Sequence, residues 1–412
     1  MELTTLFLGL VTSIVFPVAS ALAPIRNAGV LEELVVPDTY IIKYKANVNA
    51  QWKDDHEQRI ASTAINGGGR GVLETFNVLG LQGYIAKMSA SDLDHLRDND
   101  ALIDYIEKDT LIKAAAVTVK PRQLDPSPGV LTQDNAPWGL ARISHRFPIH
   151  LSDYHYSSTA GEGTYVYVID TGVRISHEEF GGRAEWGTNL LPFTADTDGA
   201  GHGTHVAGII GGETYGVAKN TTIIAVKVLD DAGMGTMSTL LRGLDWAVSD
   251  ARRRDVAQKS VINLSLSGSF SQAGNDAVQA ATDAGITVVV AAGNENQDVA
   301  NWSPSSAPSA ITVGATGRND RRANFSNWGS GVDIFAPGVD IVSAWHTSDD
   351  AQYLMSGTSM AGPHVAGLAA YYIARDGISG SAVRQRILDL ATEGVGDRKL
   401  GADRIAYNGE GF

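Results

Sequence analysis

Short, mostly apolar stretches punctuate the C-terminal two thirds of this chain: TYVYVID (164–170), TIIAVKVLD (222–230), SVINLSLS (260–267), ITVVVAAGN (286–294) and AITVGAT (310–316). They are rich in β-branched residues and read as apolar on both faces, which is how parallel strands covered by helices read. Helical periodicity fills the gaps, at His205 to Ile210, Ser238 to Arg254 and Ala273 to Ala284. The β-α-β-α order predicts an α/β domain, an open parallel sheet with helices on both faces. Such sheets bind ligands outside the carboxyl ends of their strands.

The preceding hundred residues have another pattern. TYIIKYK (39–45) alternates like a strand, SDLDHLRDND (91–100) reads as a short helix with an acidic start, and YIAKM (84–88) and IDYIEKD (103–109) read as further strands. This small α+β unit runs into VKPRQLDPSPGVLTQD (119–134), whose prolines and small polar residues suit an exposed linker open to proteolysis. At the very start, Leu6 to Val18 is an apolar block too short to span a bilayer, followed by Ala19-Ser20-Ala21, a small-x-small cleavage pattern. The expected division is a signal peptide at 1–21, an N-terminal unit with its linker at 22–130, and the α/β domain at 131–412. No solenoid-length repeat occurs.

Composition narrows the chemistry. The 412 residues are 43% hydrophobic, enough for a sizeable core. There is no cysteine, which excludes disulfides, thiolate nucleophiles and zinc-thiolate sites. A formal charge of -14 argues against nucleic acid or an anionic membrane as partner.

Polar residues interrupt the apolar pattern at informative places. Asp170 ends one predicted strand and Asn294 another, while His202 opens one helix and Ser359, in SGTSMAGPHVAG (356–367), opens a second. In a parallel sheet helix starts sit beside strand ends, so these four side chains are expected on one edge. A serine hydroxyl needs a base to take its proton, and a histidine serves near neutrality. A buried carboxylate on the other ring nitrogen orients that histidine. Asn294 and the backbone N–H of Ser359 could hold a developing oxyanion. Gly357 would permit a sharp turn, and Gly362 with Pro363 would keep bulk out of the first helical turn.

Each residue alone has a plainer reading. A serine before a helix is ordinarily an N-cap, an aspartate after a strand a turn residue, and an asparagine in a loop likewise. His202 and His205 could ligate a metal, but no third ligand follows at helical spacing, and His205 and His364 are taken as structural. Their joint occurrence favours nucleophilic catalysis.

The blocks VIDTGV, GHGTHVAG, VINLSLSG, VAAGNEN and SGTSMAGPHVAG, in the chain order Asp, His, Ser, resemble the subtilisin-like serine proteases. NAPWGLARIS (135–144), YGVAKNT (215–221), VKVLDDAGMG (226–235) and FSNWGSGVDIFAPG (325–338) resemble the proteinase K-like, typically fungal, branch. The resemblance implies a secreted, monomeric endopeptidase that acts on proteins and peptides without a catalytic cofactor. Asp170, His202 and Ser359 match its triad, and Asn294 with Ser359 its oxyanion hole. Ser265, Leu266, Ser267 and Ala291, Ala292, Gly293 match the walls of the S1 pocket, where large apolar or aromatic residues are expected. Gly233, Met234 and Gly235 match a substrate-pairing edge strand, and Met237 the S4 pocket. The N-terminal unit, about 37 to 117, resembles a ferredoxin-like propeptide that inhibits its own enzyme and is cut away, with the cut expected between Val119 and Gln133. The resemblance also implies structural calcium on the carbonyls of Pro308 and Ala310 and the carboxylate of Asp333. Arg146 replaces a hydroxyl of a second, weaker calcium site, Ser267 replaces a glycine, and Gly362 replaces a bulkier residue.

Rival readings fail on the same letters. An esterase of the α/β-hydrolase type needs G-x-S-x-G, whereas the block reads Gly357-Thr358-Ser359-Met360-Ala361. An aspartic protease needs a second DTG or DSG beside Asp170-Thr171-Gly172, and none occurs. A non-catalytic relative would lack a triad residue, and none is lacking.

Overall fold

A computed structural model describes residues 22–67, 71–99, 101–115, 117–119, 126–127, 130–149 and 151–410. The leader assigned to 1–21 and much of the linker lie outside the described residues. Among the described residues no helix is long and apolar enough to cross a membrane.

The C-terminal body is built on seven parallel strands in the order Ala184–Asn189, Thr222–Lys227, Tyr165–Asp170, Ser260–Leu264, Thr287–Ala291, Ile311–Thr316 and Ile334–Pro337. Their two-faced apolarity has a direct cause, because successive side chains point to opposite faces and both faces are covered. Val166, Val168, Val261, Val289 and Val313 pack with Val206, Ile209, Val365 and Leu368 of the helices His202–Gly211 and Thr358–Asp376. Tyr167, Ile169, Ile262, Leu264, Val288 and Val290 pack on the other side with Leu240, Leu244, Ala277 and Val278 of the helices Met237–Arg253 and Gln272–Asp283. The predicted strand at 260–267 proves to be two. It breaks at Ser265, and Leu266–Ser269 leaves the parallel sheet to pair antiparallel elsewhere.

The N-terminal unit has the order Val35–Tyr44, Ala50–Gly67, Gly71–Val78, Leu81–Lys87, Ala90–Asn99, Ile103–Ala114, strand-helix-strand twice over. Its antiparallel sheet runs 103–114, 35–44, 81–87, 71–78. The helix Ala50–Gly67 is highly polar, so no apolar periodicity announced it. One sheet face packs Ile42, Tyr84 and Ile106 with Leu93 and Leu96 of its own short helix. The other face contributes Ile41, Phe76, Ile85 and Tyr105 to the same cluster as the body helices 237–253 and 272–283.

Two carboxylates complete that contact. Glu107 accepts from Gln272 N at 2.7 Å and Ser271 Oγ at 2.6 Å, and Asp109 accepts from Ser238 N at 3.0 Å and Ser238 Oγ at 2.7 Å. Each sits at the start of one body helix, where free N–H groups and the helix dipole favour negative charge. Burial pushes both acids upward, Asp109 to about 6.

On the far side of the sheet, Arg142 ties the helix Trp138–Ser144 to the body. Its guanidinium is fully buried and bonds Asp320 twice, at 2.7 and 3.0 Å. Removing one partner strands the other charge in the interior. Arg142→Met in a Ser359→Ala background should therefore lower unfolding free energy by about 3 kcal/mol in a denaturant titration, whereas replacement of an exposed arginine should cost almost nothing.

Candidate active site

The strand Tyr165–Asp170 delivers its last side chain to the carboxyl edge of the sheet, and the helix His202–Gly211 begins beside it. His202 Nδ1–H donates to Asp170 Oδ1 at 2.7 Å, and both residues are buried. Asp170 Oδ1 also accepts from Thr171 N at 2.7 Å. Burial pulls the His202 pKa down, but the Asp170 charge, its hydrogen bond and the charge of Asp198 together outweigh burial and hold it above its ordinary value. With the proton on Nδ1, Nε2 carries the lone pair a general base needs.

Asp198 organises this helix start and was not singled out from sequence. Its carboxylate accepts from Gly201 N, Thr204 N and Thr204 Oγ1 at 2.7, 2.8 and 2.6 Å, and from Thr171 Oγ1 at 2.8 Å. Gly201, at φ +85°, is forced: a Cβ there would lie 2.5 Å from His346 and 2.7 Å from Trp345. An acid three to six residues before a helix, amid glycines, is a signal that could have been read. His205 and His364 are buried and pushed down to about 3 and about 4 by burial, in keeping with neutral structural roles.

Ser359 is the second residue of the helix Thr358–Asp376. Thr358 N donates to Asn294 Oδ1 at 2.9 Å, and Thr358 Oγ1 donates to the same atom at 2.9 Å. Locked by its oxygen, the Asn294 amide presents Nδ2 as its remaining donor group. Pro363 lies inside the helix and cannot donate to the carbonyl four residues back, that of Ser359. Ser265 Oγ donates to that carbonyl instead, at 3.1 Å.

The cleft holds part of this same chain. Residues Leu111 to Ala114 run antiparallel between two strands of the body, Met234–Thr236 on one side and Leu266–Ser269 on the other. Ser359 N donates to the carbonyl of Ala115 at 3.3 Å, and Ala115 N lies 3.1 Å from Ser359 Oγ and 3.4 Å from Ser265 O. Beyond it, Val117–Val119 pairs antiparallel with Gln352–Ser356. In this arrangement Ser359 Oγ donates to Ser265 O at 2.9 Å, and His202 Nε2 is buried without a hydrogen-bond partner. Asp170 and His202 are thus joined directly, while the Ser359 hydroxyl is bonded to Ser265 O and Ala115 N and not to the ring.

Ser265, Leu266 and Ser267 flank Ala115 and its neighbours through these backbone contacts, and the Ser267 hydroxyl is buried without a partner. Ala291, Ala292 and Gly293 are buried at the end of a central strand, with Gly293 N donating to Thr358 Oγ1 at 3.0 Å. Gly233 O accepts from Ala114 N at 3.0 Å, and Met234 and Gly235 pair with Lys113 and Ile112. Met237 is buried in the apolar cluster that takes in Ile112. Two contributors went unread in the sequence. A Cβ on Gly268 would lie 2.8 Å from Ile112 Cγ2, so this glycine makes room for that side chain, and Glu295 Oε1 lies 3.3 Å from Lys113 Nζ. Both needed the chain pairing to become visible.

The calcium set implied by resemblance does not fit a cation as the side chains stand. Asp333 Oδ1 accepts from Arg384 Nη2 at 2.5 Å and Oδ2 accepts from Thr312 N at 3.0 Å, so both oxygens of the sole carboxylate beside Pro308 and Ala310 in that set are engaged, one by a guanidinium.

The His202 geometry has a signed consequence. Activity on a peptide amide should fall as pH drops through a value above 6.5, where the ring takes its second proton. Asp170→Asn removes the two largest causes that raise this pKa and leaves burial, which lowers it, opposed by the Asp198 charge alone. Its acid limb should move to lower pH while kcat falls by about 10⁴-fold, read from pH profiles of kcat/KM.

Comparison with known proteins agrees with the geometry. The Subtilase family matches residues 161–408. "Subtilisin-like protease 3" from Arthroderma otae is 42% identical over 385 residues, covering 92% of this chain and 92% of that protein. "Subtilisin-like protease 4" from Arthroderma benhamiae is 41% identical over 412 residues, covering 96% of each. Among solved structures, a cold adapted subtilisin-like serine proteinase is 45% identical with a TM-score of 0.62, covering 66% of this chain and 98% of its own. An open parallel sheet carrying Asp170, His202 and Ser359 on its carboxyl side, matched over this length, places the chain in the subtilase family of serine endopeptidases.

Proposed function

We propose that this chain is a secreted endopeptidase made as a zymogen, with Ser359 as nucleophile, His202 as general base and acid, and Asp170 as its orienter. Ser359 Oγ attacks a substrate carbonyl while His202 Nε2 takes the hydroxyl proton. The tetrahedral oxyanion is held by Ser359 N–H and Asn294 Nδ2. His202 returns the proton to the leaving amine, an acyl-enzyme forms, and water releases it by the same steps in reverse. No cofactor enters these steps. The apolar leader and its small-x-small motif support secretion.

One observation carries the zymogen reading. The chain's own residues 111–115 lie in the substrate groove with the Ala115 carbonyl on Ser359 N–H. The groove therefore holds Ala115 at P1, Lys113 at P3 and Ile112 at P4, with Val117–Val119 on the leaving side. This register supports a first cut after Ala115. On this reading the bond lies upstream of the window from Val119 to Gln133 expected from the linker, and strand pairing, not proline content, would choose it. The propeptide assigned to 22–130 is thereby divided, with an inhibitory unit ending at Ala115 and a linker following it. The family likeness supports a preference for large apolar or aromatic P1 residues. At the self-processing bond, where P1 is alanine, pairing of the backbone and Ile112 on Gly268 supply the fit.

Two measurements test this. N-terminal sequencing and intact mass of the wild-type product should place the first new terminus at Ala116, and Ser359→Ala should remain full length. A first terminus inside 119–133 would overturn the bond, and processing of Ser359→Ala at the wild-type rate would overturn the enzyme reading. The second concerns release. Asp109, held at about 6 in contact with Ser238 against an ordinary 3.8, binds a proton more tightly in the complex than free. Retention of the cut N-terminal unit should strengthen as pH falls from about 6 toward 4 and weaken as pH rises through 6. Size-exclusion chromatography across that range should show it, and Asp109→Asn should reduce the dependence to the part that Glu107 carries.

A further inference from the structure

Away from the cleft, His145, Asp153 and His155 bring two imidazole nitrogens and one carboxylate oxygen within 4.8 Å of one another. His145 caps the helix Trp138–Ser144, and Asp153 and His155 are alternate residues of the strand Asp153–Ser157, so they share a face. His145 Nδ1 lies 2.8 Å from the carbonyl of Ala141. A carbonyl only accepts, so Nδ1 carries a proton and Nε2 is the ring atom left to serve as a ligand. That nitrogen faces Asp153 Oδ2 at 3.7 Å, too far for a hydrogen bond. His155 Nε2 approaches the same oxygen at 2.8 Å, and its Nδ1 is 2.9 Å from Thr132 Oγ1.

We infer that His145, Asp153 and His155 form a structural site for a divalent cation of the zinc class. Nitrogen donors select zinc over calcium, and three protein ligands with a water complete a tetrahedron. Two such ligands stand about 3.3 Å apart at ordinary zinc bond lengths, between the 2.8 and 3.7 Å separations seen here. Each ring is braced on its far nitrogen, by Ala141 O and Thr132 Oγ1, the outer support that metal-bound histidines use. The side chains are 13%, 28% and 18% exposed, open enough for an ion and its water to enter. Among the described residues, Arg142 is paired with Asp320, and Arg146 lies over the Tyr407 ring at 4.3 Å. Thr132 belongs to Val130–Asp134, which pairs with the strand of Asp153 and His155. A bound ion would therefore fasten the segment that follows the linker to the body, in a chain that has no cysteine to do so.

The test uses the full chain carrying Ser359→Ala, stripped with chelator and dialysed against micromolar Zn²⁺. One zinc should be retained per chain, and the apparent melting temperature should rise by about 5 °C with zinc but not with calcium. His145→Gln and Asp153→Asn should each abolish both effects. Zinc-edge anomalous diffraction on the protein with all three ligands intact should place the ion between the two Nε2 atoms and Asp153, whether or not the variants fold. No stoichiometric zinc, undiminished binding in folded variants, or an anomalous peak elsewhere would each overturn the site.

Discussion

The hydrogen bond between Asp170 and His202 is the constraint around which the rest of the site is arranged. It forms because a parallel strand ends where a helix begins, and both side chains are buried at that junction. The buried carboxylate opposes the effect of burial on the ring and keeps Nε2 as the basic nitrogen. Asp198 supports the same junction from the other side, gathering the N–H groups of Gly201 and Thr204 with the Thr171 hydroxyl. Holding an acid and a base this firmly removes reorganisation from the chemical step.

Around this pair the Ser359 helix presents its first N–H groups for two uses. Thr358 N secures Asn294, and Ser359 N is given to the carbonyl in the groove. The same device recurs at the N-terminal unit, where Glu107 and Asp109 satisfy the starts of two other helices. The unit is therefore held at two places by different physics: apolar burial and helix-start carboxylates on its sheet, and strand pairing along residues 111–115. The first positions the second, so the segment reaches the groove in a fixed register.

Much of this was legible in the sequence. Apolar runs without alternation announced buried parallel strands, and the polar residues that ended them were the ones the fold brings to one edge. That inference is local plus topological: right-handed crossovers leave few ways to arrange such strands. The site residues Asp170, His202, Ser359 and Asn294 followed from it.

What the letters left open depended on contacts between distant segments. The polar helix Ala50–Gly67 has no strong apolar stripe and is fixed by the sheet it covers. Ser265 breaks a run that reads as one strand because Leu266–Ser269 has a partner, residues 112–114, more than a hundred and fifty positions away. The pairing of Asp333 with Arg384, the close approach of Ile112 to Gly268, and the meeting of His145 with Asp153 and His155 are of the same kind. Sequence determined which residues are apolar, which are chemically able and in what order they come, because those are properties of side chains and their spacing. Only the tertiary structure decided register, which peptide bond lies at Ser359 and which charges face each other, because hydrogen-bond pairing between separated strands is chosen by the whole packed core.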